Sequence, residues 1–156
     1  MIVRPLREHP EFVSKFARRF EQEWPGWYGP GGQGSALHDL QAFANPEGRL
    51  PVGVVAISED NKACGLAALK ASSIPEYNHL TPWAAAGYVS PELRGKGIGA
   101  ALLSALVGEA GALGYNTVYC ATATATSLLH RLDWHLLEQT LHDGKPIFLF
   151  ASSRAG

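Results

Sequence analysis

"VSPELRGKGIGAALLSAL", residues 89–106, ends an apolar stretch on a proline and then places three glycines and two cations in the six residues before an alanine-leucine run. That run has the composition of a buried helix, and the glycines fall at its first turn. A helix N-terminus presents backbone N–H groups with no intrahelical partner and a partial positive charge, so an anion placed there is stabilised without any side chain. Gly95, Gly97 and Gly99 remove the Cβ atoms that would keep a ligand off those amides, and Arg94 and Lys96 add local cationic charge. Phosphate is the usual occupant of such a turn. The alternative is a solvent-exposed basic turn that only caps a core helix.

Two nucleotide-binding patterns can be tested against the turn. A P-loop needs Gly-Lys followed by a hydroxyl residue, but Gly95-Lys96 is followed by Gly97. Gly95-x-Gly97-x-x-Ala100 formally matches the dinucleotide fingerprint. The next strand, ending near Thr122, carries no carboxylate for a ribose, and too little chain remains for a doubly wound sheet.

Working outward, "WAAAGYVS" reads as the strand entering the turn, and the helix runs from about Gly97 to Ala112. "YNTVYCATA" is a further strand, "ATSLLHRL" a short helix, and "WHLLEQTLHDGKPIFLFAS" a hairpin turning at Asp143-Gly144. On the N-terminal side, "LPVGVVAISEDNKACGLAALKAS" reads as two strands joined at "EDNK". Phe12, Phe16, Phe20 and Trp24 recur every four residues and predict one helix, closed by Pro25. "PGWYGPGGQG" is too rich in Gly and Pro for regular structure, and Ser35 is a candidate cap for a second short helix over "SALHDLQAFAN". With "IVRPL" as a first strand, the order is β-α-α-β-β-β-α-β-α-β-β.

Bulk properties bound the function. The 156 residues suit one domain, residues 1–156, with a core that needs no metal or disulfide. Thirteen Lys and Arg against fourteen Asp and Glu give a net charge of -1, so no global basic field holds nucleic acid or an anionic membrane. No basic stripe with interleaved aromatics supports a nucleic-acid partner either. Cys64 and Cys120 stand apart in apolar stretches without metal-site or redox spacing, so no metal is expected. "MIVRPLREHP" lacks the apolar core of a signal peptide and no apolar run approaches a membrane span, so the expected location is the cytoplasm. The apolar "PIFLFAS" either pairs across a homodimer or is a buried central strand.

Arg94-Gly95-Lys96-Gly97-Ile98-Gly99 resembles the acyl-CoA signature of the GNAT superfamily of N-acetyltransferases, Arg/Gln-x-x-Gly-x-Gly/Ala. The resemblance extends upstream to "GYVSPELR", downstream to "SLLHRLDW", and to the order of elements along nearly the whole chain. It implies an α/β (α+β) three-layer fold: a mixed, mostly antiparallel sheet of six to seven strands, flanked by about four helices, with two strands splayed around the acyl-CoA site. It also implies transfer of an acetyl group from acetyl-CoA to a primary amine of a small molecule or peptide, by direct attack on the thioester. Gly87, Tyr88 and Val89 would hydrogen-bond the pantetheine arm, Arg94 to Gly99 and Ala100 would hold the pyrophosphate, and Thr122 and Ser127 would complete the cofactor site. Trp24, Trp27, Tyr28 and Trp83 would wall the acceptor pocket; the alternative for each is ordinary packing.

The chain departs from the family pattern twice. The strand "WAAAGYV" carries no carboxylate to act as base, and the position often held by a tyrosine acid falls on Leu129. Three substitutes are available. His130 adjoins the vacant position, although one helical step turns it by about 100°. His79, with Tyr77, lies in the loop entering the strand. Glu23 falls between Phe12 and Phe16 on the first helix and is either a partly buried base or the salt-bridge partner of Arg19. The missing groups also motivate a second reading, a non-catalytic acyl-CoA-binding module, which amine-dependent release of CoA thiol would exclude.

Overall fold

Four-residue spacing of aromatic side chains builds the first layer. In the computed structural model, which describes residues 1–152, Phe16 and Phe20 on helix α1 (Val13–Glu23) are fully buried, and Phe12 belongs to the same cluster from a 3-10 turn at Pro10–Phe12. Trp24, the fourth member, caps the helix and is only half-buried. The next segment departs from expectation: Pro25–Tyr28 forms one helical turn, α2, because proline at a first helical position sacrifices no hydrogen bond. The Gly29 N–H closes that turn on the Pro25 carbonyl at 2.9 Å. Ser35 caps helix α3 (Ala36–Phe43) as expected, its hydroxyl accepting from the His38 N–H.

Seven strands form one sheet in the order β1-β2-β3-β4-β5-β7-β6. They are β1 (Ile2–Pro5), β2 (Val52–Ile57), β3 (Ala63–Lys70), β4 (Trp83–Val89), β5 (Tyr119–Thr122), β6 (His135–His142) and β7 (Lys145–Ala151). β2 and β3 make the expected hairpin, and Asn61 takes the left-handed conformation, φ 62°, in its turn. Every pairing is antiparallel except β4 with β5, which matches the mixed, mostly antiparallel sheet.

Two layers cover the sheet. α1 and α3 cover one face through Phe16, Phe20, Leu40 and Phe43 against Val55, Leu66 and Tyr88. Helix α4 (Ile98–Ala112) and helix α5 (Thr126–Arg131) cover the other through Ile98, Leu102, Leu106 and Leu129 against Val54, Ala67, Ala84 and Phe150. A smaller cluster of Ile74, Trp83 and Leu149 lies under the loop between β3 and β4.

The last strand resolves one alternative. β7 is held by β5 on one side and β6 on the other, so its apolar run is interior and cannot pair across a dimer. The free edge on that side is β6, which exposes Leu136, Leu137 and Leu141. Among the described residues no helix is long and apolar enough to cross a membrane.

Candidate active site

β4 and β5 stay together for only two residue pairs, Trp83 with Tyr119 and Ala84 with Cys120, and then diverge. A cleft of about 560 Å³ opens where they part, a size in the usual range for ligand sites. Its floor is Ala84 to Val89, and β5 and the start of α5 supply Cys120 to Ala125 and Leu129. Leu102, Leu103 and Leu106 of α4 form one wall, and Glu23, Trp24 and Arg94 stand at the α1 side.

A bulge shapes the floor. Leu66 faces Tyr88 and Ala68 faces Ala85, so Ala86 and Gly87 together oppose the single residue Ala67. Ala86 sits at φ 56°, a left-handed conformation rare for alanine, and this kink turns the β4 backbone toward the cleft. Just beyond β4, Ser90 is buried; its N–H bonds the Cys64 carbonyl, and its hydroxyl accepts from Arg19 Nη1 at 2.9 Å.

The glycine turn ends at an open helix start. The first backbone bond into α4 runs from the Ala101 N–H to the Gly97 carbonyl, so the four preceding amides have no intrahelical partner. No side chain caps the helix. Gly97, the cap residue, sits at φ 87° and Gly95 at φ 81°, and a Cβ at either would meet open space. These glycines therefore serve backbone conformation and the approach of a ligand; they relieve no internal crowding. Lys96 is exposed beside them, Ile98 is buried beneath, and Gly99 and Ala100 are half-buried.

The candidate residues divide. Gly87, Tyr88, Val89, Arg94, Gly99, Thr122, Glu23 and Trp24 line the cleft. Leu129, at the vacant acid position, lines it too and is fully buried. Thr122 has a structural duty there, its hydroxyl accepting from the Thr124 and Ala125 N–H groups at the entry to α5. Other candidates lie outside the lining. Ser127 is exposed and outside the lining, because it points away from the α5 face that carries Leu129. His130 is rotated off that face as well and meets Phe150 edge-on, ring centroids 5.1 Å apart. His79 is exposed in the β3–β4 loop beside Tyr77, whose hydroxyl is engaged by Glu138.

Of the proposed aromatic wall, only Trp24 lines the cleft. Trp83 is buried in the third cluster, its indole N–H on the Leu80 carbonyl at 2.7 Å. Tyr28 donates to Asp39 at 2.6 Å, and burial with that carboxylate pushes its phenol well above the usual range. Trp27 is half-exposed on α2. Glu23 is not buried, and the pair with Arg19 does not form. Arg19 turns to Ser90 and the Ala63 carbonyl, while Glu23 meets Arg94 at 3.3 Å.

Sequence reasoning missed Cys120 and the α4 leucines as lining residues. Cys120 is the β5 partner of Ala84, a signal legible only once the two strands are known to be neighbours. Its thiol is pushed up to about 11 by burial. The protonated thiol is therefore no nucleophile near neutrality.

Solved structures share this fold. An aminoglycoside 6'-N-acetyltransferase complexed with coenzyme A superposes with a TM-score of 0.76 at 15% identity, covering 97% of this chain and 96% of that one. The aminoglycoside 6'-N-acetyltransferase from Enterococcus faecium gives 0.74 at 18%, over 97% and 96%. A GNAT superfamily phosphinothricin acetyltransferase from Sinorhizobium meliloti in complex with AcCoA gives 0.67 at 23%, over 96% and 86%. No curated protein matches the chain. The family model described as "Acetyltransferase (GNAT) family" matches residues 12–133, which span α1, the splayed strands, the glycine turn and α5. The chain therefore belongs to the GNAT family of acetyltransferases.

Proposed function

We propose that the protein moves an acetyl group from acetyl-CoA to a primary amine of a small molecule or peptide, in the cytoplasm. One observation carries the reading: the cleft between two diverging parallel strands runs to a helix start with open amides, glycines and no side-chain cap. Backbone amides over residues 95–100 suit a pyrophosphate. The β4 edge beyond Ala84, which has no β5 partner, suits a pantetheine arm lying along it. Bound there, acetyl-CoA supplies an activated acyl group with a thiolate leaving group.

The residues present define the chemistry available. A β4 backbone N–H at the bulge donates a hydrogen bond to the carbonyl oxygen and stabilises the negative charge that develops there as the amine attacks. Attack forms the C–N bond, and collapse breaks the C–S bond and releases the thiolate. Glu23 is the one carboxylate lining the cleft among the described residues, and attack makes the nitrogen's proton acidic enough for it to accept, directly or through water. Leu129 donates no proton, so the thiolate leaves unassisted or takes a proton from water. Trp24 beside Glu23 favours a cationic or apolar amine through its ring face.

Calorimetric titration with acetyl-CoA, with ADP and NAD as controls, tests the cofactor. Release of CoA thiol is then followed with spermidine, 2-phenylethylamine, kanamycin and a lysine peptide. Micromolar binding with amine-dependent release supports the proposal. Binding without release from any amine supports the non-catalytic module, which Leu129 and the carboxylate-free β4 favour. No binding at all refutes both.

A further inference from the structure

We infer that Arg94, although it opens the cofactor signature, serves the acceptor half of the site: its side chain holds the Glu23 carboxylate at the cleft and leaves the pyrophosphate to the backbone of residues 95–100. The inference rests on the acetyl-transfer reading above, and Arg94 is a positioning residue in it because it touches no reacting atom.

The direction of the side chain is the first ground. The Arg94 guanidinium lies 5.8 Å from the centroid of the Tyr88 ring, and Tyr88 packs against Phe16 and Phe20 of α1. The open amides belong to α4, whose Ile98 and Leu102 pack on the opposite face of the sheet. The cation is therefore turned to α1, away from the place where a helix start would hold an anion.

The second ground is that the guanidinium is committed at two points. Nε donates to the Val89 carbonyl at 2.9 Å, and Nη2 meets Glu23 Oε1 at 3.3 Å. A guanidinium is planar and its donors form a fixed fork, so anchoring Nε on the strand end fixes where Nη2 points. Lysine, with a single flexible ammonium, could not hold both.

The third ground is the position of Glu23. It is the last residue of α1, where the negative end of the helix dipole opposes a carboxylate, and its partner comes from 71 residues further along the chain. With side-chain exposures of 48% and 38%, the pair is solvent-screened and contributes little to stability. What the contact does supply is placement. It fixes the Glu23 carboxylate at the cleft and couples it to the glycine turn through Arg94.

The test uses Arg94→Gln, Arg94→Lys, Glu23→Gln and the double variant Arg94→Gln/Glu23→Gln in the full chain. Acetyl-CoA is titrated calorimetrically, and kcat and KM are measured with the fastest of spermidine, 2-phenylethylamine and kanamycin. Arg94→Gln is expected to keep the acetyl-CoA Kd within about threefold while kcat falls at least tenfold. The double variant should then be no slower than Glu23→Gln, and Arg94→Lys should restore little. A tenfold or larger loss of acetyl-CoA affinity in Arg94→Gln, with Glu23→Gln unaffected, makes the arginine a phosphate ligand and overturns the inference; so do additive losses in kcat. Full activity in Glu23→Gln instead refutes the assignment of Glu23 in the proposed chemistry. The titration arm needs no acceptor and decides the direction of Arg94 in every case.

Discussion

Gly97→Glu separates a helix start that binds an anion from one that merely ends a turn. Gly97 sits at φ 87°, so any side chain there incurs about 1–2 kcal/mol of backbone strain. A Cβ meets nothing within 4 Å, so no clash adds to the strain. For a chain of this length, that penalty lowers the melting temperature by roughly 2–8 °C and leaves the fold intact. The effect on binding is electrostatic. A carboxylate about 5 Å from one phosphate charge repels it by about 3 kcal/mol at an effective dielectric constant of about 20. Screening at moderate salt reduces this to roughly 2 kcal/mol, a loss of about 30-fold in affinity. The Gly97→Ala variant carries the strain without the charge and should bind acetyl-CoA within about threefold of wild type. Calorimetric titration of all three proteins, with thermal melts as the control for folding, reads both effects. A folded Gly97→Glu protein that binds acetyl-CoA with wild-type affinity would show that the pyrophosphate lies elsewhere.

Three further outcomes follow from contacts around the cleft. The Cys120 thiol, pushed up to about 11, leaves about a thousandth as thiolate at pH 8, so alkylation by iodoacetamide should run at least 100-fold slower than for free cysteine. Because the fold favours its neutral form, this group's stabilisation is complete below the ordinary thiol range and is lost as pH rises toward about 11, which pH-dependent melts of wild type and Cys120→Ala will compare. Tyr28→Phe removes the 2.6 Å bond to Asp39 and should lower stability by about 1 kcal/mol in denaturant titration, with acetyl-CoA affinity unchanged. Arg19→Met leaves the buried Ser90 hydroxyl without its donor, at a cost of about 1–3 kcal/mol, and should weaken acetyl-CoA binding by loosening the end of β4; an unchanged melting temperature would argue against that role.

The legible parts of the chain were those governed by local physics. The Ser35 cap, the two tight turns and the glycine cluster each depend on neighbours in sequence and stand where the pattern predicts, while the four-residue aromatic spacing marks α1 but overruns it at both ends, with Phe12 in a 3-10 turn and Trp24 at the cap. The proline-glycine segment hides its helical turn because a single turn led by Pro25 needs no periodicity. The candidate catalytic and acceptor residues fared worse because their environment is assembled across the sheet. Nothing near Glu23 in sequence indicates that Arg94 arrives from beyond the end of β4, so the adjacent Arg19 reads as the better partner. Trp83 reads as a wall residue in sequence, but which face of β4 it occupies is set by pairing with β5 and by the loop above it. Ser127 and His130 lie on α5 but off the face that lines the cleft, a rotation that depends on how the helix packs on the sheet.

The short junction between β4 and β5 gives the molecule a crease. Strands β1 to β4 form one panel and β5 to β7 another, and two residue pairs of ladder join them. A sheet interrupted in this way is weakest against shear and opening along the crease. A ligand laid in the gap would act as the missing length of strand. Its occupancy would stabilise the closed sheet by RT ln(1 + [L]/Kd), so slow amide exchange in β5 and β7 should appear with acetyl-CoA and fade without it. The durability of the β5 to β7 panel would then rise and fall with the supply of activated acetyl groups around it.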